Sequence, residues 1–189
     1  LARVAGDGRI CPHVHLALQH ASSRVLRLMG RPVAPGSYEE ILGELGRRMP
    51  EAALGADLMV GFPGETETDF EELRCLLDRS PLTYAHVFPF SPRPGTPAAN
   101  RPQVPAGVVT ERARALRRVA AMKDYGFRRR FLGRELEAVV IARSDRGGEV
   151  LTGSAIRVLV PSCRAPRRER VRVSVRRVLP RRTEGEIVA

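Results

Sequence analysis

The chain lacks tryptophan, has one lysine (Lys123), and carries no aromatic residue after Phe131. Its three cysteines, Cys11, Cys75 and Cys163, stand far apart with no CxxC pair. That spacing argues against a zinc finger or a disulfide framework and points to a reducing, cytoplasmic compartment. No apolar run approaches the roughly 18 residues that a membrane span requires, so no membrane partner is expected. The first ten residues show no signal-peptide pattern, and the chain begins with Leu1 rather than Met. It is therefore expected to be a fragment whose N-terminal part is absent. The missing aromatics argue against a base-stacking platform in the last third, so any nucleic-acid contact there should be mainly electrostatic.

Charge is abundant and uneven. The 189 residues carry a net charge of +11. Residues 1–100 hold 10 Arg against 12 acids, a net of −2, whereas residues 101–189 hold 22 Lys and Arg against 9 acids, a net of +13. A cationic block of that size usually serves a polyanion, most often nucleic acid. A GC-rich coding sequence can explain arginine in place of lysine, but not its confinement to one half.

The first half reads as β, α, α, β, α, β, the rhythm of a parallel α/β sheet. His13 to Leu18 is a strand with His13 and His15 on one face and Val14, Leu16 and Leu18 on the other. Two histidines at i, i+2 could hold a metal. No third ligand lies nearby in sequence, so they are expected to line a polar barrel interior or its mouth, and no metal ligand is expected. Gln19 and Ser22 follow at the strand-to-helix junction, where Ser22 can either cap a helix or bind a ligand. Ser37 to Glu40 fits a capping box that opens a helix through about Met49, closed by Pro50.

Residues 56–99 are the most informative stretch. Asp57 to Phe62 is a short buried-type strand broken by Gly61, Pro63 and Gly64. Thr66 or Thr68 can cap the next helix, and Thr68 with Glu71 fits a capping box. Phe70, Leu73, Leu76 and Leu77 give that helix one apolar face. Leu82 to Phe90 is a further strand, and Ser91 to Pro97 is a stiff proline loop that holds Arg93 at a fixed place, either as a rigid wrap packed against the sheet or as a gate over the strand ends with Arg93 facing an anion or carboxylate. Turns at the carboxyl ends of parallel strands are where α/β folds bind ligands.

A linker at 98–107 leads to a helix from about Val108 to Arg130, cationic through Arg112, Arg114, Arg117, Arg118, Lys123, Arg128, Arg129 and Arg130. From about Phe131 five short β-type runs suggest a small antiparallel barrel of OB-like size, with a hairpin signal at Arg146-Gly147-Gly148. Arg170, Arg172 and Arg176 alternate with Val171, Val173 and Val175, which predicts one cationic face and one buried face. With Arg167, Arg168 and Arg177 nearby, that face suits a phosphate backbone and reads no bases.

The segments VGFPGETETDFEEL and HVFPFSPRPGTPAA resemble the radical S-adenosylmethionine methylthiotransferases, and CPHVHLALQHASSRVLRLMGRP agrees. Within that family, CPHVHL and HVFPFSPRPGTPAA are most similar to the MtaB branch, which acts on threonylcarbamoyladenosine in tRNA. QHAS is nearer to the branch that modifies a ribosomal-protein aspartate. The basic C-terminal module resembles the RNA-binding TRAM domain.

The resemblance implies the C-terminal half of a partial radical SAM (TIM-like) barrel over residues 1–130, ending in a linker helix. A TRAM-like RNA-binding domain is implied over 131–189. The implied activity is methylthiolation at C2 of N6-threonylcarbamoyladenosine next to the anticodon. Its cofactors would be S-adenosylmethionine and two 4Fe-4S clusters, one of which cleaves S-adenosylmethionine reductively. An electron donor and tRNA would be the partners of a monomer. Carried over residue by residue, Gln19 and Ser22 fall on the polar strand facing S-adenosylmethionine. Gly61, Phe62, Pro63, Gly64 and Glu65 match the glycine motif near the adenosine, and Phe90 and Ser91 border the adenine. The implied RNA contacts are Arg128, Arg129, Arg130, Arg167, Arg168, Arg170, Arg172, Arg176 and Arg177. The CxxxCxxC motif and the cysteines of the second cluster are absent, so the fragment alone is expected to be inactive. A ribosomal-protein methylthiotransferase and a non-catalytic RNA-binding remnant are the alternatives.

Overall fold

A computed structural model describes residues 7–31, 34, 36–144 and 147–188. Its described residues divide into two compact units, one made of residues 14–50 and 54–123, the other of residues 7–13, 51–53 and 124–188. The boundary falls inside one helix, between Lys123 and Asp124.

The first unit carries a three-stranded sheet in the order β1 (His13–Gln19), β2 (Ala53–Val60), β3 (Tyr84–Pro89). β2 and β3 are parallel, with Asp57 opposite His86 and Met59 opposite Phe88. Two helices, α1 (Ser23–Leu28) and α2 (Ser37–Arg48), connect β1 to β2, and α3 (Glu67–Arg79) connects β2 to β3. Leu18, Leu54, Ala56, Leu58, Val60 and Val87 are buried with Leu26, Leu42, Leu45, Leu73 and Leu77 of the helices. The opposite face of the sheet is polar and half open, and Phe88 on it is 49% exposed. A parallel strand is usually buried on both faces, so this open face is the unusual feature of the unit.

Local sequence explains the helix starts, with two boxes that differ from expectation. Of the two candidate caps Thr66 takes α3, and the box is Thr66–Asp69 rather than Thr68–Glu71: the Thr66 side chain accepts from the Asp69 N–H, and the Asp69 carboxylate accepts from the Thr66 N–H. α2 starts from Gly36 at φ 79° with no side-chain cap, so Ser37 does not form the expected box. Ser22 caps α1. The lone lysine has a local role as well. Lys123 Nζ donates to the carbonyls of Asp78 and Ser80, 2.9 Å from each, at the C-terminal end of α3. Free carbonyls and the negative end of the helix dipole favour a compact cation there. Burial pushes its amine down from the ordinary lysine value.

A 3-10 turn (Pro97–Asn100) and α4 (Ala106–Arg129) follow the proline loop. In the second unit β4 (Glu135–Ser144), β5 (Gly147–Thr152), β6 (Arg157–Val160), β7 (Arg170–Leu179) and β8 (Arg182–Val188) close a barrel in the order β4-β5-β6-β8-β7. Four of its ladders are antiparallel, but β6 and β8 pair in parallel, Val158 with Thr183 and Leu159 with Glu184. The barrel is therefore mixed rather than antiparallel. The first two residues of the Arg146-Gly147-Gly148 signal's turn, 145 and 146, lie outside the described residues. The core holds Phe127, Phe131, Val140, Val150, Val158, Val160, Val173 and Val175.

Candidate ligand cleft and arginine face

The carboxyl ends of β1, β2 and β3 border one cleft of about 820 Å³ in the first unit. Gln19, Met59, Phe62, Phe90, Ser91 and Arg93 are among its lining residues. Strand breaks bring Gln19, Phe62 and Phe90 there. Gln19 ends β1 at φ 69°, a left-handed conformation uncommon outside glycine. Gly61 ends β2 at φ 76°, and a Cβ on it would lie 2.5 Å from Val109 of α4. The Phe90 N–H donates to the Val60 carbonyl at 2.8 Å, which ties the end of β3 to the end of β2. The Phe62 and Phe90 rings then meet edge to face, with centroids 5.1 Å apart. Arg27, Arg93 and Arg101 line the cleft, and among the described residues no carboxylate does. A cationic, aromatic wall suits a flat ring carrying an anionic group.

The other motif residues build the turn from beneath. Glu65 is fully buried: Arg112 Nη1 donates to its Oε1 at 2.6 Å, and the Gly61 N–H donates to its Oε2 at 2.8 Å. Arg112 also reaches Glu67 at 2.8 Å. His20, likewise buried, accepts from the Ser22 N–H on Nδ1, which places the ring proton on Nε2, 3.4 Å from Glu65 Oε2. Ser22 Oγ donates to Asp69 Oδ1 at 2.6 Å and accepts from the Val25 N–H. Ser22 and Glu65 are thus committed to the fold, in contrast to the ligand-facing positions expected of them. Pro63 is buried. The Gly64 carbonyl accepts from Arg24, whose guanidinium also grips Asp69. Burial alone would raise the Asp69 carboxyl, but donation from Arg24, Ser22 and Thr66 outweighs it and holds it well below the usual carboxylate range. His20, Arg24 and Asp69 escaped the sequence reading, and Arg112, read as part of a cationic helix, is buried on Glu65 instead.

In the second unit the alternation on β7 holds from Arg170 to Val173. Between Val175 and Arg177 the β7–β8 register then shifts, leaving Arg176 as the extra residue, so Arg176 and Arg177 both face outward. Arg170 and Arg172 are exposed as well. Carboxylates temper this face: Arg176 bonds Glu186 at 2.9 Å, and Arg172 and Arg177 lie 3.9 Å from Glu135 and Glu184. Arg167 is exposed and donates to the Ile141 carbonyl, and Arg168 sits exposed at φ 73°. Arg129 and Arg130 are exposed beside Tyr125 and Phe127. Arg128 departs from the set. It is only 7% exposed, and it donates to Asp124, to the carbonyls of Leu179 and Pro180, and to Thr183 Oγ1. It joins the end of α4 to the β7–β8 turn, and four of its five N–H donors are taken inside the fold.

No family model matches the chain. Individual relatives do. The chain is 36% identical over 171 residues to the threonylcarbamoyladenosine tRNA methylthiotransferase MtaB of Aquifex aeolicus, covering 85% of this chain and 42% of the relative. It is 35% identical over 190 residues to the tRNA-2-methylthio-N(6)-dimethylallyladenosine synthase of Thermus thermophilus, covering 98% and 40%. The MtaB of Rickettsia prowazekii is 39% identical over 137 residues, covering 72% and 32%. The relatives are tRNA methylthiotransferases matched over most of this chain, which fits a fragment of a radical S-adenosylmethionine methylthiotransferase. The chain spans about two fifths of the length of the first two of these methylthiotransferases.

For this methylthiotransferase chain the two implied cofactors fare differently. The cleft has an aromatic edge and the polar Gln19 and Ser91 for an adenosine, and arginines that match the carboxylate of an adenosyl amino acid. An iron–sulfur cluster needs several thiolates together. Cys11 is exposed, Cys75 half-buried and Cys163 buried, and among the described residues no three cysteines come together. The residues described here do not fit that group.

Proposed function

We propose that the chain supplies part of a tRNA methylthiotransferase acting at C2 of N6-threonylcarbamoyladenosine beside the anticodon, as the C-terminal portion of a TIM-like radical SAM barrel with a TRAM-like barrel behind it. The observation that carries this is the cleft, in which aromatic edges, Gln19, Ser91 and three arginines converge without a carboxylate. Bound S-adenosylmethionine supplies the methyl group and the radical chemistry of the family. Phe62 and Phe90 would hold its adenine edge-on, and Gln19 and Ser91 would hydrogen-bond its polar atoms. Arg93, on the stiff proline loop, would pair with its carboxylate and keep bulk water from the strand ends. Gly61 lets the backbone pass close under α4, and the buried Glu65–Arg112 pair fixes that turn. The exposed arginines of β7, with Arg129, Arg130, Arg167 and Arg168, would track tRNA phosphates.

A second reading rests on the Thermus relative, which matches more of this chain than the Aquifex MtaB does. In that reading the base is the dimethylallyl-type adenosine. Mass spectrometry of tRNA nucleosides from a strain lacking the gene separates the two. Loss of 2-methylthio-threonylcarbamoyladenosine supports the first reading, and loss of the 2-methylthio dimethylallyl nucleoside supports the second. If both nucleosides stay at wild-type levels, tRNA is not the substrate.

A further inference from the structure

The open face of the first unit's sheet carries a side-chain cluster that the cleft does not use. His15 on β1, Asp57 on β2 and His86 on β3 meet across three strands. His15 Nε2 lies 3.0 Å from Asp57 Oδ1, and His86 Nδ1 lies 3.5 Å from the same oxygen. One donor atom from each residue falls within 4.8 Å of the others. The cluster is built by register. Asp57 and His86 are directly opposed on parallel strands, two residues before the Met59–Phe88 pair. His15 offers no third ligand along its own strand, and the sheet brings two.

We propose that His15, Asp57 and His86 form a binding site for a divalent first-row transition cation of the zinc class. Two donors about 2.0–2.2 Å from one ion, at tetrahedral or octahedral angles, lie about 2.8–3.6 Å apart, and the two separations given above fall within that range. Two imidazoles with one carboxylate favour zinc, iron or nickel over magnesium or calcium, which take oxygen ligands. His15 is also held from behind: its Nδ1 lies 3.0 Å from the Tyr84 hydroxyl. With Nε2 on a metal, the ring proton sits on Nδ1 and the tyrosine oxygen accepts it, an arrangement that fixes the ring and raises ligand affinity. Tyr84 is fixed in turn by Gly55, where a Cβ would lie 2.0 Å from the tyrosine ring. The side chains of His15 and Asp57 are about 30% exposed and that of His86 is 57% exposed. The ion would therefore keep at least one open position and exchange with solvent.

The test uses the chain as it stands, at pH 7.5, with Co²⁺ as a spectroscopic probe and Zn²⁺ in competition. The expected result is one equivalent of Co²⁺ with visible d–d bands and no thiolate charge-transfer band, displaced by one equivalent of Zn²⁺. Asp57→Asn and His86→Ala should each weaken Zn²⁺ binding at least 100-fold, with circular dichroism confirming the fold. Tyr84→Phe should weaken it about tenfold. His13→Ala, on the same strand but outside the cluster, should leave the affinity unchanged. A thiolate–cobalt band would assign the metal to cysteine and overturn the proposal. So would a Kd above about 0.1 mM, or binding unchanged in a folded Asp57→Asn chain. The proposal is independent of the tRNA reading: either can fail while the other stands.

Discussion

In the first unit Arg24 and Arg112 end on buried carboxylates, Asp69 and Glu65, whereas in the second Arg170, Arg172, Arg176 and Arg177 stand away from their sheet. The same side chain thus has two functions, and burial of its partner decides which. A guanidinium that satisfies a buried carboxylate cannot be removed cheaply, because the carboxylate stays behind without a counter-charge. A guanidinium beside an exposed Glu contributes little to stability and keeps its field available to a polyanion. Arg128 crosses this line: it belongs to the basic unit but is used as the arginines of the first unit are.

The comparison is broken most sharply at Arg112. Arg112→Ala should destabilise the first unit by about 3–5 kcal/mol in denaturant unfolding, since it strands Glu65. Replacing both partners, Glu65→Gln with Arg112→Met, should recover most of that loss. A single substitution costing under about 1 kcal/mol would show that the pair does not hold the turn. Gly61→Ala should come next, at about 1–3 kcal/mol, from the left-handed backbone and the clash with Val109. Adding Val109→Ala should relieve only the steric share.

Asp69 sharpens the same comparison through pH. Its carboxyl is depressed in the folded chain, against an unfolded value of about 3.9. A depressed carboxylate adds stability that is fully present above the unfolded value and is lost as pH falls through the folded one. Thermal stability should therefore be level near neutrality and decline below about pH 4. In Asp69→Asn that share of the decline should vanish, from a lower starting stability. Parallel acid profiles for the two chains would refute the assignment.

Local signals in the sequence foretold the elements, and non-local partnerships decided the site. Alternation at His13–Leu18 and Arg170–Val175 marked strands because side-chain period is a property of one segment. The α3 box is Thr66–Asp69 rather than Thr68–Glu71 because a threonine with an acid three residues on occurs twice there, and only tertiary packing of Ser22 and Arg24 against Asp69 selects one. The parallel β6–β8 ladder had no local mark, since strand order is set by barrel closure. For the same reason Ser22 and Glu65 read as ligand contacts: their true partners sit on other elements. Gln19, Phe62, Phe90 and Ser91 were named through the family resemblance, and they line one cleft at the strand ends.

The smallest effect on stability is the most telling about function. Arg170→Ala and Arg172→Ala should leave the melting temperature nearly unchanged, because both side chains are exposed and the carboxylate nearest Arg172, that of Glu135, lies 3.9 Å away. If they contact phosphates, each should lower the slope of log affinity for tRNA against log salt by about one, measured by anisotropy with the full chain. Arg128→Ala should do the reverse. It removes donors from Leu179, Pro180 and Thr183 inside the fold, so the melting temperature should fall while the salt slope stays where it was. If instead Arg128→Ala changed the slope and Arg170→Ala did not, the division between inward and outward arginine would be misdrawn, and the RNA face would centre on the end of α4 and exclude β7.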